Sequence, residues 1–270
     1  MRGQFSSSWG RALFLLLRLL VVLLLLGFLL HLVSPLWFGL VSALLLLVTV
    51  VGNFVAAAGV FGNVLLAGPP DKPQVALTFD DGPDPETTPQ VLDVLSQHGA
   101  HATFFVIGER AQRHPELIKR IVAAGHQVEN HSHRHSWATA FGSTPKLVRE
   151  LGLAQTAIFD AAGKRPRFFR APIGILSPPV VAAAQTLGLT IVGWTAKARD
   201  GWASTSVDAA CRRLVRALRP GAILLLHDAG EQLSAQRLAR PTIAPAVLAV
   251  LLPKLAARGL STVTLDELCR

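Results

Sequence analysis

Two adjacent carboxylates, Asp80 and Asp81, close a β-rich run in Thr78-Phe79-Asp80-Asp81-Gly82-Pro83. Neighbouring carboxylates at a strand end repel each other and lose hydration, so they need a compensating cation or a shared proton. Consecutive side chains also point in different directions, which lets the pair divide into separate roles. A bare Asp-Asp-Gly reads equally well as a solvated turn. A second polar set follows in Asn130-His131-Ser132-His133-Arg134-His135. If this segment turns helically, His131 and His135 share a face and can chelate one ion. Isolated patterns of that spacing are mostly polar loops. Here His131 lies just past a strand-like run, as Asp81 does. Two His and one Asp form a facial ligand set that leaves positions for water and substrate. His133 is the odd member and points elsewhere.

Three further pieces recur at similar places. Arg170-Ala171-Pro172-Ile173-Gly174 follows the apolar pair Phe168-Phe169. A segment runs from Trp194 to Asp200-Gly201-Trp202. The apolar run Ile223-Leu224-Leu225-Leu226 ends in His227-Asp228. A lone Arg is usually a surface residue, and a His beside an Asp can be purely structural. A His capping an apolar strand is also a candidate acid or base.

The elements that must position these residues alternate from residue 74 onward. Strands are expected at 74–79, 102–107, 126–129, 167–169, 189–193, 222–226 and 260–263. Helices are expected at 87–98, 115–124, 144–162, 177–187, 206–218 and 242–257, with Pro in or near several first turns and Gly after several ends. Alternating strands and helices imply a mostly parallel α/β sheet or barrel, with an open doubly wound sheet as the competitor. Such folds carry chemistry at the C-terminal ends of their strands. The reactive residues fall there.

Taken together and in order, TFDDGP, H-S-x-x-H, RxPxG, a Trp/Asp segment and LLLHD resemble the five motifs of the NodB-type polysaccharide deacetylases, carbohydrate esterase family 4. The resemblance spans residues 71–270 and none of 1–70. It implies a distorted (β/α)7 barrel and hydrolysis of an N-acetyl, or sometimes O-acetyl, group on a sugar. It implies one divalent metal ion held by Asp81, His131 and His135, with zinc the first choice and cobalt, nickel or manganese alternatives. It makes Asp80 the general base, Arg170 the residue that orients it, and His227 the general acid supported by Asp200. Leu225 lines the acyl-methyl pocket. The backbone N–H of Ile173, after Pro172, serves as oxyanion donor, and Trp202 contributes to the substrate surface. Two departures stand out. The family usually has Tyr where this chain has Ile173, and the chain has no Tyr. The fourth motif usually has Asp directly before Trp, whereas Gly201 intervenes here and Lys197 stands where an acid often appears.

Composition divides the 270 residues near residue 70. The first 70 contain no Asp or Glu and only Arg2, Arg11 and Arg18 as cations, so the net charge of +9 splits as +3 and 23 − 17 = +6. Residues 12–33 are apolar apart from Arg18 and His31, enough for a helix to cross a bilayer. Ser34-Pro35 breaks that run, and a second apolar stretch from 36 to about 68 is long enough for a second span. Together they are too long for a cleaved signal peptide. Arg2 and Arg11 favour an internal N-terminus. Two spans return the domain at 71–270 to the cytoplasmic side, the preferred reading, and one span exports it. The basic residues are scattered without interleaved aromatics, so nucleic acid is excluded as a partner. The expected partners are a membrane and a carbohydrate, lipid-linked in one reading and an exported polymer in another. The competitor from another class is an inactive membrane-anchored glycan-binding protein. Cys211 and Cys269 have no CxxC partner, which argues against a disulfide.

Overall fold

The computed structural model describes residues 4–5, 9–30, 34–54, 60–136, 141–201, 204–230 and 242–270. The chain begins with β1 (Gln4–Phe5), α1 (Trp9–Leu29), α2 (Pro35–Phe54) and β2 (Leu65–Ala67). The break between the two helices falls at Ser34-Pro35, where the ring of Pro35 disfavours helical backbone in the preceding residue. α1 and α2 pack side by side, with Phe28 stacked on Phe38 at 5.7 Å between ring centres. Leu15, Leu16, Leu19, Leu23, Leu26 and Leu46 are each more than half exposed. Both helices are long and apolar enough to cross a membrane.

Alternating units follow: β3 (Gln74–Asp80), α3 (Thr87–Gln97), β4 (Ala102–Val106), α4 (Gly108–Arg113), α5 (Pro115–Ala123), β5 (Gln127–Asn130), α6 (Thr144–Ala162) and β6 (Phe168–Phe169). A 3₁₀ turn at Pro172–Gly174 leads to α7 (Pro178–Thr186), β7 (Thr190–Ile191), β8 (Ala196–Lys197), α8 (Val207–Arg216) and β9 (Ile223–His227). The chain ends in α9 (Ala244–Ala256), β10 (Ser261–Thr262) and α10 (Leu265–Leu268). The strands form one curled sheet in the order β7-β6-β5-β4-β3-β9-β8, with parallel pairing throughout and β10 added beside β3. This is the distorted α/β barrel expected from the motifs. Its seven-strand path nonetheless differs from the strands expected. β8, inside the Trp/Asp segment, takes a place on the path, and the last expected strand, β10, sits off it.

The strands read as continuous apolar runs because both of their faces are buried. Val75, Leu77 and Phe79 face the surrounding helices, in one core with Val91, Leu95, Leu224, Leu226, Leu248 and Leu251. The alternate residues face inward. Ala76, Phe105, Phe168 and Ile223 fill the barrel interior with Leu65, Val192, Leu265, Leu268 and Cys269. α10 thus plugs one end of the barrel. Cys269 is buried there, and both cysteines are free.

The gap between β7 and β8 is closed by β2. Leu65 bridges Val192 and Ala67 bridges Ala222. The Gly193 N–H donates to Leu65 O (2.8 Å), and Thr195 Oγ1 donates to Leu66 O (3.0 Å). The same strap meets the apolar helices. Phe61 packs edge-on against Phe14 at 5.0 Å, and Arg11 Nη2 donates to Asn63 Oδ1 (2.8 Å). Leu65 is fully buried in the barrel interior. Leu65→Ala removes that filling from the closing strand, so it is expected to cost about 2–5 kcal/mol. The check is the thermal midpoint of the full chain in detergent, which should fall by several degrees.

Candidate active site

The strand register brings the polar residues to one level. Asp80 pairs with His227 across β3 and β9, and Asn130 pairs with Phe169 across β5 and β6, so His131 and Arg170 follow side by side. Within a strand, side chains alternate. Ala76, Thr78 and Asp80 therefore share the inward face, as do Ile223, Leu225 and His227. The interior is apolar where α10 plugs it and polar where the strands end.

Alternation alone would point Asp81 away from the site. It reaches the site because its φ is +76°, which ends the strand in left-handed backbone. Among the described residues, five non-glycine residues have positive φ: Asp81, Ser132, His135, Ile173 and Arg199. Four of them line one cavity of about 160 Å³, and Ser132 follows His131, which lines it too. Left-handed backbone costs of order 1–3 kcal/mol per residue and clusters where function holds it in place. Ile173, β-branched and 58% exposed, is the least comfortable of the five. His131 and His135 do not share a helical face. An irregular loop with left-handed backbone at Ser132 and His135 brings their rings together, 4.9 Å apart between centres.

Asp81, His131 and His135 each offer one ligand atom, all within 4.8 Å of one another. His135 Nε2 lies 3.1 Å and His131 Nε2 3.4 Å from Asp81 Oδ1, a buried oxygen with no hydrogen bond among the described residues. His131 Nδ1 lies 2.8 Å from Arg170 O. A carbonyl only accepts, so Nδ1 carries a proton, and in the neutral ring Nε2 then faces Asp81 with a lone pair. Two acceptors facing each other need a proton or a cation between them. The donor set therefore fits a divalent ion. Burial alone pushes the Asp81 carboxyl up, but the His131 ring beside it and the charges of His135 and His227 outweigh that and hold it well below the usual range. Burial pushes His135 down to about 4, so this ring is a neutral donor at pH 7. Burial also lowers His131, but Asp80 and Asp81 more than offset it, so its pKa is raised.

The buried Arg170 guanidinium holds Asp80. Nη1 donates to Asp80 Oδ1 (2.7 Å) and Thr78 Oγ1 (2.8 Å), and Nη2 donates to Gly193 O (2.9 Å). The guanidinium lies over the Phe105 ring, 4.2 Å from its centre. Across the cavity, Asp200 grips His227 twice. One carboxylate oxygen lies 2.8 Å from Nδ1, and the other accepts the His227 backbone N–H at 2.8 Å. Burial lowers the His227 pKa, yet the hydrogen bond and charge of Asp200, with Asp81 and Asp80, raise it to about 10. His227 is therefore an acid at neutral pH, oriented by Asp200 rather than by its sequence neighbour. Asp228 turns away, accepting from Thr88 Oγ1 (2.6 Å), and its backbone carbonyl accepts from Thr87 Oγ1.

Asp80, Asp81, His131, His135, Ile173, Leu225 and His227 line the cavity, with Arg170 and Asp200 directly behind Asp80 and His227. Pro172 opens the 3₁₀ turn that carries Ile173. Trp202 lies outside the described residues. Sequence reasoning passed over Trp194, Ala171 and Lys197 as cavity walls. The Trp194 ring underlies Lys197 Nζ at 5.5 Å. The Gly193 carbonyl that anchors Arg170 carries no side-chain signal at all.

Known proteins share the sequence and the fold that carry this site. Residues 67–192 match a family model described as polysaccharide deacetylase. The chain is 39% identical over 211 residues to a peptidoglycan-N-acetylglucosamine deacetylase of Bacillus cereus, covering 77% of this chain and 94% of that protein. It is 42% identical over 198 residues to a chitooligosaccharide deacetylase of Bradyrhizobium sp., covering 72% and 90%. The crystal structure of the Bc1960 peptidoglycan N-acetylglucosamine deacetylase superposes with a TM-score of 0.68 at 31% identity, covering 76% of this chain and 91% of that one.

The grip of Asp200 on His227 has a measurable consequence. A general acid works below its pKa, so a raised pKa extends the acid form upward, and activity falls as pH rises through it. Asp200→Asn removes a charge that favours protonated His227, so the alkaline limb of kcat/KM should move to lower pH by about 1–3 units. A pH–rate profile of parent and variant checks this. An unmoved limb would assign it to another group.

Proposed function

The chain belongs to the polysaccharide deacetylase family and is a carbohydrate deacetylase, and on that premise we propose that it removes N-acetyl groups from an amino sugar of a cell-envelope glycan or its lipid-linked precursor. The observation that carries this reading is the three-sided site. Asp81, His131 and His135 converge between an Asp80 fixed by Arg170 and a His227 fixed by Asp200.

In this reading Asp81, His131 and His135 hold one divalent ion, zinc by choice of ligands, with cobalt, nickel or manganese as substitutes. When bound, the ion would polarise the amide carbonyl and lower the pKa of a water. Asp80 takes the proton of that water. Arg170 occupies Oδ1 of Asp80, which leaves Oδ2 for the proton. His227 gives its Nε2 proton to the departing amine, which is a poor leaving group without one. The Ile173 backbone N–H meets the charge that develops on the carbonyl oxygen. Leu225 borders the acyl methyl, and Trp194 offers a ring face to the sugar.

The apolar helices support a membrane location, since most of their leucines are exposed among the described residues and both helices are long enough to cross a bilayer. We read α1 and α2 as a retained hairpin spanning the inner membrane, with the domain of residues 71–270 on the same, cytoplasmic side as the N-terminus. A lipid-linked amino sugar then suits the position of the domain better than an exported polymer.

Two experiments test the reading. Metal content and acetate release are measured on N-acetylated sugars. Asp80→Asn should keep the ion and lose rate by about 10²–10⁴-fold, His227→Ala should do the same, and Asp81→Asn should lose ion and activity together. Loss of metal from Asp80→Asn but not from Asp81→Asn would reverse the roles of the two carboxylates. Separately, a reporter fused to the C-terminus should be active on the cytoplasmic side. A reporter active outside would exclude the hairpin and favour an exported glycan.

A further inference from the structure

A second cleft shares a wall with the cavity. Its lining includes Asp81 and His135, and beyond them Arg110, Arg113 and Arg134 with Glu109. The arginines come from two elements, α4 and the loop that carries the histidines. Glu109 stands between two of them. Its Oε2 lies 3.3 Å from Arg113 Nη2, and its Oε1 lies 3.3 Å from Arg134 Nε. One carboxylate therefore aligns two guanidinium groups without cancelling them. Arg110 is fixed separately, with Nη1 donating to the backbone carbonyl of Asp81 (2.9 Å). Three guanidiniums against Glu109 and Asp81 leave the cleft one net positive charge, and more once Asp81 is engaged by an ion. Arg113 and Arg134 keep most of their surface in water, with side chains 63% and 68% exposed. Among the described residues, their remaining side-chain N–H donors have no partner.

We propose that this cleft is an anion subsite, and that the amino sugar taken by this enzyme carries a phosphate or carboxylate group next to the N-acetyl group removed. The proposal rests on the deacetylase reading and narrows its substrate class. Guanidinium forks match phosphate and carboxylate oxygens in pairs, and these charge-assisted bonds are stronger than neutral ones. A neutral chito-oligomer would leave the cluster unused. A sugar phosphate, or a sugar bearing an acidic ether, would fill it while its acetamido group lies in the neighbouring cavity.

The test compares acetate release by the full chain in detergent from three substrates. These are a neutral N-acetylchitooligosaccharide, an N-acetylglucosaminyl phosphate, and a disaccharide whose N-acetylated sugar carries a carboxylate. The parent should favour one or both charged substrates by about tenfold or more in kcat/KM, a preference that shrinks as salt is added. The phosphate and carboxylate arms show which group the cleft takes. In R113Q/R134Q the ratio of charged to neutral should collapse towards one, and R113K/R134K should recover part of it. A parent without preference, or a preference that survives in R113Q/R134Q, overturns the subsite. If no substrate releases acetate, the deacetylase reading falls instead, and binding decides the subsite. Inorganic pyrophosphate should then bind the parent at least about tenfold more tightly than R113Q/R134Q at equal metal content. Equal binding overturns the proposal.

Discussion

The ion pair between Arg170 and Asp80 is the constraint around which the rest of the site is arranged. Both groups are almost wholly buried, at 1% and 4% exposure. Taking two charges out of water is expensive, and their attraction repays it only with good geometry and further hydrogen bonds. Arg170 has both. It reaches β3 through Asp80 and Thr78, the chain after β7 through Gly193, and the ring of Phe105 on β4. Its own carbonyl receives the His131 ring. One side chain therefore ties Asp80 and His131 to the same point. A lysine would supply the charge but not the planar fork that meets three oxygens at once.

That arrangement explains how two adjacent carboxylates come to different surroundings. Asp80 ends a regular strand and faces inward with Thr78, onto a fixed cation. Asp81 is turned by left-handed backbone onto two imidazoles. The turn is held from behind. A Cβ on Gly82 would lie 2.2 Å from Asp228 Oδ2, so only glycine fits where the loop passes that buried carboxyl. Burial raises the Asp228 pKa to about 7, and Thr88 fixes its other contact. The strain concentrated at Asp81, His135 and Ile173 is sustained by this packed surround. The same loops without the barrel beneath them would relax.

Much of this was legible in the sequence, for identifiable reasons. Long helices such as Thr144–Ala162 and strands such as Gln74–Asp80 announce themselves by periodicity and composition. The residues at strand ends could be read because parallel folds display their chemistry there. What stayed hidden was short or carried by backbone. β8 spans two residues inside a segment read as a motif, and β2 spans three in a stretch read as part of the membrane segment. Neither length supports a pattern. The His131–His135 pairing was readable as a spacing, but its loop geometry was not, because it depends on the positive φ of Ser132 and His135. The Arg110, Arg113 and Arg134 cluster looked like scattered surface charge, since only the fold brings the loop after β5 against α4.

The closing strand links the two halves of the chain more tightly than a composition boundary at residue 70 suggests. Val64 and Leu65 are buried in the same cores as the sheet, Ala67 is buried beside them, and Gly193, whose carbonyl receives Arg170, donates its N–H to Leu65. Three residues earlier, Phe61 and Asn63 contact α1. A continuous path of packed groups thus runs from the apolar helices through β2 to Gly193, Arg170 and Asp80. A flexible tether would let the catalytic unit sample many orientations at a bilayer. A strand built into the barrel wall restricts them, because Val64, Leu65 and Ala67 already belong to the buried interior. With the membrane location proposed above, that restriction would lower the entropy lost in presenting the site to a surface-confined substrate.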